Sequence, residues 1–173
     1  PSPRNSKDGS CDISIVSEAI SGITGEKVVV IKSTVPPGTT EDLQKKFPQH
    51  RLLLNQEFLT ESRAREDMIR PDRQIVGFTE KSLEAAYLVL NLLPKAPFMS
   101  PWGMNTYQKL RITAMEAELI KYAGNLHFVR KVNWANAVSQ VAKKLGADYE
   151  NVRQGMAADH RIGDSHLDVN HGG

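Results

Sequence analysis

The stretch Lys27-Val-Val-Val-Ile-Lys-Ser33, continued by Thr34-Val-Pro-Pro-Gly-Thr-Thr40, decides the fold class of this chain. Its first part is an unbroken β-branched run, which is typical of a strand buried on both faces of a parallel sheet. Two prolines and a glycine then predict a rigid turn. Thr39 is predicted to be the N-cap of a helix that carries Glu41 and Asp42 in its first turn, where the helix dipole favours acids. The stretch therefore predicts a strand, a loop and a helix in succession.

Strand and helix patterns alternate on both sides of this unit. The predicted elements are a helix over residues 12–23, strands over 51–55 and 74–78, a helix over 81–93 and a short edge strand over 97–99. Alternation of this kind is the signature of an α/β layer with right-handed crossovers. We therefore predict a partial α/β domain with a parallel sheet over residues 1–112 and an all-α region over 113–173.

The all-α region is predicted to begin with a long helix. Thr113 and Glu116 form a capping box, in which each side chain can bond the backbone N–H of the other, and this box starts a helix predicted over residues 113–144. Gly146 ends this helix, and Asp148 caps the next one. A helix of this length is typical of a connection between domains or of a subunit interface.

Composition and charge argue against several classes of protein. The 173 residues carry a formal net charge of +2 and no block of like charges, so neither nucleic acid nor a membrane surface is indicated as a partner. Cys11 is the single cysteine and no apolar run of about 18 residues occurs, which predicts a cytoplasmic protein without an intramolecular disulfide. The five histidines lack the spacing of a metal site. Both ends have loop composition, so we expect a fragment of a larger protein.

Two glutamates follow the predicted strand over 51–55. Glu57 and Glu61 are four residues apart, at the strand end where open parallel sheets bind ligands. Paired carboxylates can divide acid and base work when their surroundings separate their pKa values. The alternative is two solvated glutamates at the start of a helix. Thr34, at the end of the preceding strand, is likewise either a ligand contact or a local cap for the backbone.

A second polar pair lies in the long helix. Lys121 and Asn125 are one helical turn apart on one face, and such a pair either binds a ligand or faces solvent. For Lys121 the alternative is a surface ion pair with Glu118. Arg161 is an anion-binding candidate, because a guanidinium suits phosphate, although most isolated arginines lie on the surface.

Five strings, in this order along the chain, resemble the nucleotide-sugar 6-dehydrogenases, the UDP-glucose and GDP-mannose dehydrogenase family. They are KSTVPPGTT at 32–40, NQEFLTES at 55–62, RPDRQIVG at 70–77, EAELIKYAGN at 116–125 and DHRIGDSHL at 159–167. The resemblance implies the second half of a Rossmann-like NAD-binding domain, followed by a central helical region that forms a homodimer. It also implies an NAD-dependent double oxidation of the sugar C6 alcohol to a carboxylate, through a cysteine-bound thiohemiacetal and thioester.

The resemblance further implies roles for the matching residues. Glu57 matches the glutamate of the acid/base and thioester-hydrolysis steps, and Thr34 matches the threonine that helps to hold the catalytic water and the cofactor. Lys121 matches the lysine that stabilises oxyanion charge, with Asn125 as its partner. The implied cofactor contacts are Ser33, Thr34, Val35 and Glu61. The implied substrate contacts are Glu57, Phe58, Leu59, Thr60, Lys121, Asn125 and Arg161.

The chain also departs from the family pattern. Gln56 stands where proline is usual, Ser62 where glycine is usual, and His127 and His166 at or near positions that usually hold phenylalanine. The 173 residues contain neither a G-x-G-x-x-G string nor the family's G-G-x-C-F-P-K-D string with its nucleophilic cysteine. We therefore expect this chain alone to be inactive. The alternative is a non-catalytic module for dimerisation or nucleotide-sugar binding.

Overall fold

The computed structural model describes residue 5 and residues 7–101 and 111–169, without the side chain of Glu61. The helices are α1 (Ser14–Ser21), α2 (Thr39–Lys46), α3 (Ala64–Ile69), α4 (Leu83–Leu92), α5 (Ala114–Leu145) and α6 (Tyr149–Ala157). The strands are β1 (Val28–Ile31), β2 (Arg51–Leu54), β3 (Arg73–Ile75), β4 (Gly77–Phe78) and β5 (Phe98–Ser100). Short 3-10 turns precede α3 and α4. The chain divides into two compact units, Pro1–Tyr122 and Ala123–Gly173.

The first unit is built on two small sheets. In the larger sheet β1 runs parallel to β2, with Val28 opposite Arg51 and Ile31 opposite Leu54, and β4 runs antiparallel to β2. In the smaller sheet β3 and β5 are parallel. Because β1 and β2 are parallel neighbours, the loops that follow them leave the same edge of the sheet.

Both faces of β2 are buried, as its apolar run predicts. Leu52 and Leu54 pack in one core cluster with residues of α1 and α2, whereas Leu53 packs in a second cluster with residues of α4. This alternation follows from the two-residue period of a strand. Burying each of these leucines stabilises the fold by about 1.5 to 3 kcal/mol. The α/β prediction for this part of the chain is confirmed.

The prediction of one continuous strand over 74–78 is wrong. The segment divides into β3, which pairs with β5, and β4, which pairs with β2. Between them the N–H of Val76 donates to the carbonyl of Ser100 at 3.1 Å. A Cβ atom on Gly77 would lie 2.7 Å from Ala117 Cβ and 2.9 Å from Ala114 Cα. The close approach of α5 at this point therefore accompanies the change of sheet.

The prediction that Thr39 is an N-cap is also wrong. Gly38 occupies the N-cap position of α2 with φ 94°, and as a glycine it has no side chain that could bond to the helix. The left-handed conformation suits glycine because it has no Cβ. Thr39 is the first helical residue, and its hydroxyl donates backwards to the carbonyl of Pro36 at 2.7 Å.

The long helix begins and ends as its sequence predicts. The N–H of Thr113 donates to Glu116 Oε2 at 2.7 Å and the N–H of Glu116 donates to Thr113 Oγ1 at 3.3 Å, so the capping box is present. Gly146 follows the last residue of α5 with φ 70°, and Asp148 accepts the N–H of Glu150 at 2.9 Å as the cap of α6. Across the described residues, no helix combines the length and apolar character needed to span a membrane.

Candidate active site

The loops after β1 and β2 are tied to each other by side chains. Lys32 Nζ donates to Asn55 Oδ1 at 2.6 Å, and Gln56 Nε2 donates to the carbonyl of Ser33 at 3.4 Å. Asn55 is buried, and its Nδ2 donates to the carbonyl of Ile75 at 2.8 Å. A buried amide with bonds on both sides fixes the backbone around it, because each unmade bond would leave a desolvated polar atom. These contacts make the sheet edge a fixed platform.

Lys121 meets Glu57 at this edge. Lys121 is 9% exposed, and its Nζ donates to the backbone carbonyl of Glu57 at 2.6 Å. The same Nζ lies 3.5 Å from Glu57 Oε1, and the Glu57 side chain is 46% exposed. The first unit thus brings together an ammonium with three donors and a carboxylate that solvent can reach.

Two cations lie over the Phe58 ring. Lys121 Nζ is 5.4 Å from its centroid, and the Arg73 guanidinium carbon is 4.0 Å from it. The negative face of an aromatic ring attracts cations within about 6 Å. Phe58 therefore supports Lys121 through the ring face as well as by packing against the core.

Glu118 does not form the surface ion pair with Lys121 that was one prediction. Its side chain is fully buried and binds the start of α2 instead. Oε2 accepts the N–H of Gly38 at 2.5 Å, and Oε1 accepts the N–H of Thr40 at 2.8 Å and the Thr40 hydroxyl at 2.7 Å. The carboxylate thus supplies the cap that α2 lacks locally, in a position that the helix dipole favours.

Burial and hydrogen bonding act in opposite directions on this site. Burial is the largest influence on Glu118 and raises the pKa of its carboxyl, while the donors of Thr40 and Gly38 lower it. Burial also lowers the pKa of Lys32, and the nearby Glu57 carboxylate raises it. Partial loss of water thus shifts both groups towards their neutral forms, although Lys32 remains exposed as a residue whereas Glu118 is fully buried.

The remaining predicted site residues of the first unit include Val35, Leu59, Thr60 and Glu61, and no hydrogen bond joins them to Lys121 among the described atoms. Val35, which follows Thr34, is fully buried in the core, so neither its side chain nor its backbone is exposed in this structure. The N–H of Leu59 donates to Glu57 Oε2 at 2.7 Å, and the N–H of Thr60 donates to Asp67 Oδ2 at 2.8 Å. For Glu61 only the backbone is described, at the start of a 3-10 turn, and its predicted cofactor contact lies outside the described atoms.

Asn125 and Arg161 belong to the second unit. Asn125 is exposed on α5. Arg161 is bound by Asp159, with Nη2 2.5 Å from Oδ2 and Nε 3.0 Å from Oδ1. This bidentate pairing raises the pKa of Arg161 and lowers that of Asp159. The stacked pair of Phe128 and His166, with ring centroids 4.3 Å apart, lies in the same unit.

Three residues of this site were not predicted from the sequence to be site residues. Glu118, Asn55 and Gln56 are buried at the sheet edge, and Gln56 Oε1 has no hydrogen-bond partner among the residues that the structure describes. Spacing gave no reason to separate Glu118 from other helical glutamates. A glycine at the start of α2, with no side-chain oxygen to cap the helix, is the one local signal that an acceptor must come from elsewhere.

Comparison with known proteins identifies two matching family models. Residues 1–91 match the NAD binding domain of the UDP-glucose/GDP-mannose dehydrogenase family, and residues 115–173 match the central domain of the same family. The chain is 31% identical over 175 residues to a UDP-glucose 6-dehydrogenase of Rhizobium meliloti, covering 95% of this chain and 39% of the relative. It is 34% identical over 171 residues to a UDP-glucose 6-dehydrogenase of Pseudomonas aeruginosa, covering 91% and 36%.

Solved structures give the same result. The chain superposes on a UDP-glucose dehydrogenase from Pyrobaculum islandicum with a TM-score of 0.80 at 34% identity, over 96% of this chain and 39% of that one. It superposes on a GDP-mannose dehydrogenase from Pseudomonas aeruginosa with a TM-score of 0.70 at 26% identity, over 99% and 40%. The chain thus spans about two fifths of the length of these relatives.

Proposed function

Because the chain belongs to the UDP-glucose/GDP-mannose dehydrogenase family, we propose that it is part of an NAD-dependent nucleotide-sugar 6-dehydrogenase. Residues 1–112 supply the second half of the cofactor domain, and residues 113–173 begin the central region. The reaction oxidises the C6 alcohol of the sugar to a carboxylate in two steps. UDP-glucose is the proposed substrate, since several similar relatives are named UDP-glucose 6-dehydrogenases.

The contact between Lys121 and Glu57 supports this proposal most directly. Lys121 Nζ donates one hydrogen bond to the Glu57 carbonyl at 2.6 Å, and its other N–H groups can donate to a substrate oxygen. A poorly hydrated ammonium stabilises a developing oxyanion more than an exposed one does. The half-exposed Glu57 carboxylate beside it can exchange protons with substrate or water. The family resemblance adds further proposed substrate contacts, which are Phe58, Leu59, Thr60, Asn125 and Arg161.

The loop after β1 fits the cofactor part of this proposal. Ser33, Thr34 and Val35 follow a parallel strand, where open α/β sheets bind their ligands, and Glu61 is the fourth proposed contact. These residues would hold NAD, which would accept the hydride that each oxidation releases. The loop's own task is to bind and orient, and its two prolines suit it because they restrict the backbone.

We also propose that α5 supports a homodimer. Its part in the second unit exposes large apolar side chains, including Leu126, Val129, Trp134, Val141 and Leu145. Exposed apolar side chains mark an interaction surface where they form a contiguous patch, and we propose that these residues do so on α5. Sedimentation analysis of the wild-type protein and of a Trp134→Glu variant tests the proposal, which predicts a dimer that the variant weakens. A wild-type protein that stays monomeric at tens of micromolar would contradict it.

Turnover is the test of the function. The natural gene product, with any sequence that flanks residues 1–173, is expected to reduce NAD with UDP-glucose, and GDP-mannose serves as the comparison. Residues 1–173 alone are expected to be inactive, because covalent catalysis needs a thiolate nucleophile and these residues lack the family's cysteine string. Absence of turnover by the gene product with either sugar would refute the proposed function. Binding of the sugars without turnover would favour the alternative, a nucleotide-sugar-binding module.

A further inference from the structure

One turn of α5 holds two different loops of the first unit. Glu118 binds the start of α2, which ends the loop after β1, through three hydrogen bonds of 2.5 to 2.8 Å. Three residues later Lys121 binds the loop after β2 through the Glu57 carbonyl at 2.6 Å. Residues three apart on a helix lie on the same side, so the two anchors are neighbours on one rigid element.

The loop after β1 depends on Glu118 for its position. Its last residue, Gly38, offers no side chain to cap α2, and the acceptor for Thr40 lies 78 residues away in sequence. Pro36 and Pro37 stand between the anchor and Thr34. Proline fixes one of the two backbone torsions, so the segment between Gly38 and Thr34 has little freedom to absorb a displacement. A displacement at Gly38 is therefore expected to move Thr34 as well.

We infer that Glu118 is a positioning residue for the proposed dehydrogenase: its carboxylate holds the loop that carries Ser33 and Thr34 in register with the helix turn that carries Lys121. The inference rests on the proposed function and adds a residue to it. Glu118 does not touch substrate or cofactor in this account. It acts through the backbone of Gly38 and Thr40, and its loss affects the cofactor side of the site rather than the sugar side.

The expected effect separates positioning from simple stabilisation. In Glu118→Gln the amide can offer one oxygen to Thr40, but its NH₂ group faces the N–H of Gly38, so one charge-assisted bond is lost. The KM for NAD is expected to rise about tenfold, the size of one such bond, while the KM for UDP-glucose stays unchanged. A residue that only stabilised the fold would lower the active fraction, and hence the apparent kcat, without changing either KM.

Steady-state kinetics of the natural gene product test this, with Thr113→Ala as the control. That variant removes the capping box of the same helix without touching the loop, and both KM values are expected to stay at wild-type levels. If Glu118→Gln does not fold, Thr40→Val takes its place, because it removes only the hydroxyl donor, and Thr40→Ser should restore it. Thr40→Val is expected to raise the KM for NAD about threefold.

Three results carry distinct meanings. Wild-type turnover with an unchanged KM for NAD in the folded variants would overturn the positioning role and leave the proposed function intact. A wild-type protein without turnover would refute the proposed function itself, and the positioning role with it. A selective rise in the KM for NAD supports both.

Discussion

The loop after β1 and the loop after β2 leave the same sheet edge and are held by the same turn of α5. The two side chains that hold them, Glu118 and Lys121, have opposite charges and make different numbers of hydrogen bonds. Glu118 is fully buried and accepts three hydrogen bonds from Gly38 and Thr40. Lys121 makes one short bond, to the carbonyl of Glu57, and a longer approach of 3.5 Å to the half-exposed carboxylate.

This difference indicates a structural role for Glu118 and a ligand-binding role for Lys121. A carboxylate whose oxygens are already occupied by backbone and hydroxyl donors has little capacity for a ligand. An ammonium with unused donors beside a solvent-accessible carboxylate retains that capacity. The acidic anchor therefore fixes one loop, and under the proposed function we expect the basic anchor to contact a ligand bound beside the loops.

Removing the basic anchor is expected to have the largest effect. Lys121→Met keeps the apolar stem and deletes the ammonium, so kcat of the gene product should fall about 10²- to 10³-fold, the cost of one oxyanion-stabilising donor. Lys143→Met, an exposed lysine in the last turn of the same helix, is the matched control and should keep wild-type kcat. A Lys121→Met enzyme within threefold of wild type would end the distinction between the two anchors.

Removing the acidic anchor should act on stability. Glu118→Ala leaves three donors without acceptors, and each buried unsatisfied group costs about 1 to 3 kcal/mol, so the free energy of unfolding should fall by about 3 kcal/mol or more. Urea unfolding measures this loss. Glu84→Ala removes an exposed glutamate of α4 and should change stability by less than about 0.5 kcal/mol. Equal losses in the two variants would mean that the Glu118 contacts contribute nothing.

The seat of α5 against the sheet gives a third test. Gly77→Ala should destabilise the protein by about 1 to 3 kcal/mol, because the new Cβ would lie 2.7 Å from Ala117 Cβ. Gly124→Ala adds the same methyl to α5 where nothing lies within 4 Å, and should stabilise the helix by about 0.5 to 1 kcal/mol. In thermal unfolding, the melting temperature is expected to fall for Gly77→Ala and to rise for Gly124→Ala. A change of melting temperature in the same direction for both variants would contradict the close approach at Gly77.

The smallest effect concerns pH. Burial raises the pKa of Glu118 above its ordinary value of 4.5, so between that value and the raised one the folded protein keeps a proton that the unfolded chain has released. The stability linked to this proton is present below about pH 4.5 and is lost as pH rises through the raised pKa. Because Glu118→Gln cannot titrate, the wild type should lose stability relative to it over that interval. A difference independent of pH would show that the carboxyl keeps an unshifted pKa.

Local patterns predicted the elements whose signals lie within them. The capping box of Thr113 and Glu116, the strand β1 and the stop at Gly146 each depend on neighbours a few residues away, and the structure has all three. The burial predicted for β1 is only partial, since Val28 is exposed and Ile31 alone is buried. The fold class follows from these elements. Their common feature is that backbone geometry and side-chain spacing suffice to specify them.

Long-range partners could not be read in this way. The cap of α2 comes from Glu118, 78 residues beyond Thr40, so Thr39 was wrongly assigned that role. The break between β3 and β4 accompanies the approach of α5 to Gly77, which no property of residues 74–78 announces. The contact of Lys121 with Glu57 spans 64 residues, and the family resemblance rather than spacing pointed to it.

The Phe58 ring gives the site a built-in spectroscopic reporter. Ring currents shift the proton resonances of groups that lie over an aromatic face, and the Arg73 guanidinium carbon and Lys121 Nζ lie 4.0 Å and 5.4 Å from the ring centroid. The side-chain signals of both cations should therefore be displaced in an NMR spectrum. A ligand that draws Lys121 away would return only the lysine signals towards ordinary values, while those of Arg73 remain as an internal reference. Movement of the lysine becomes visible without any added label on the ligand.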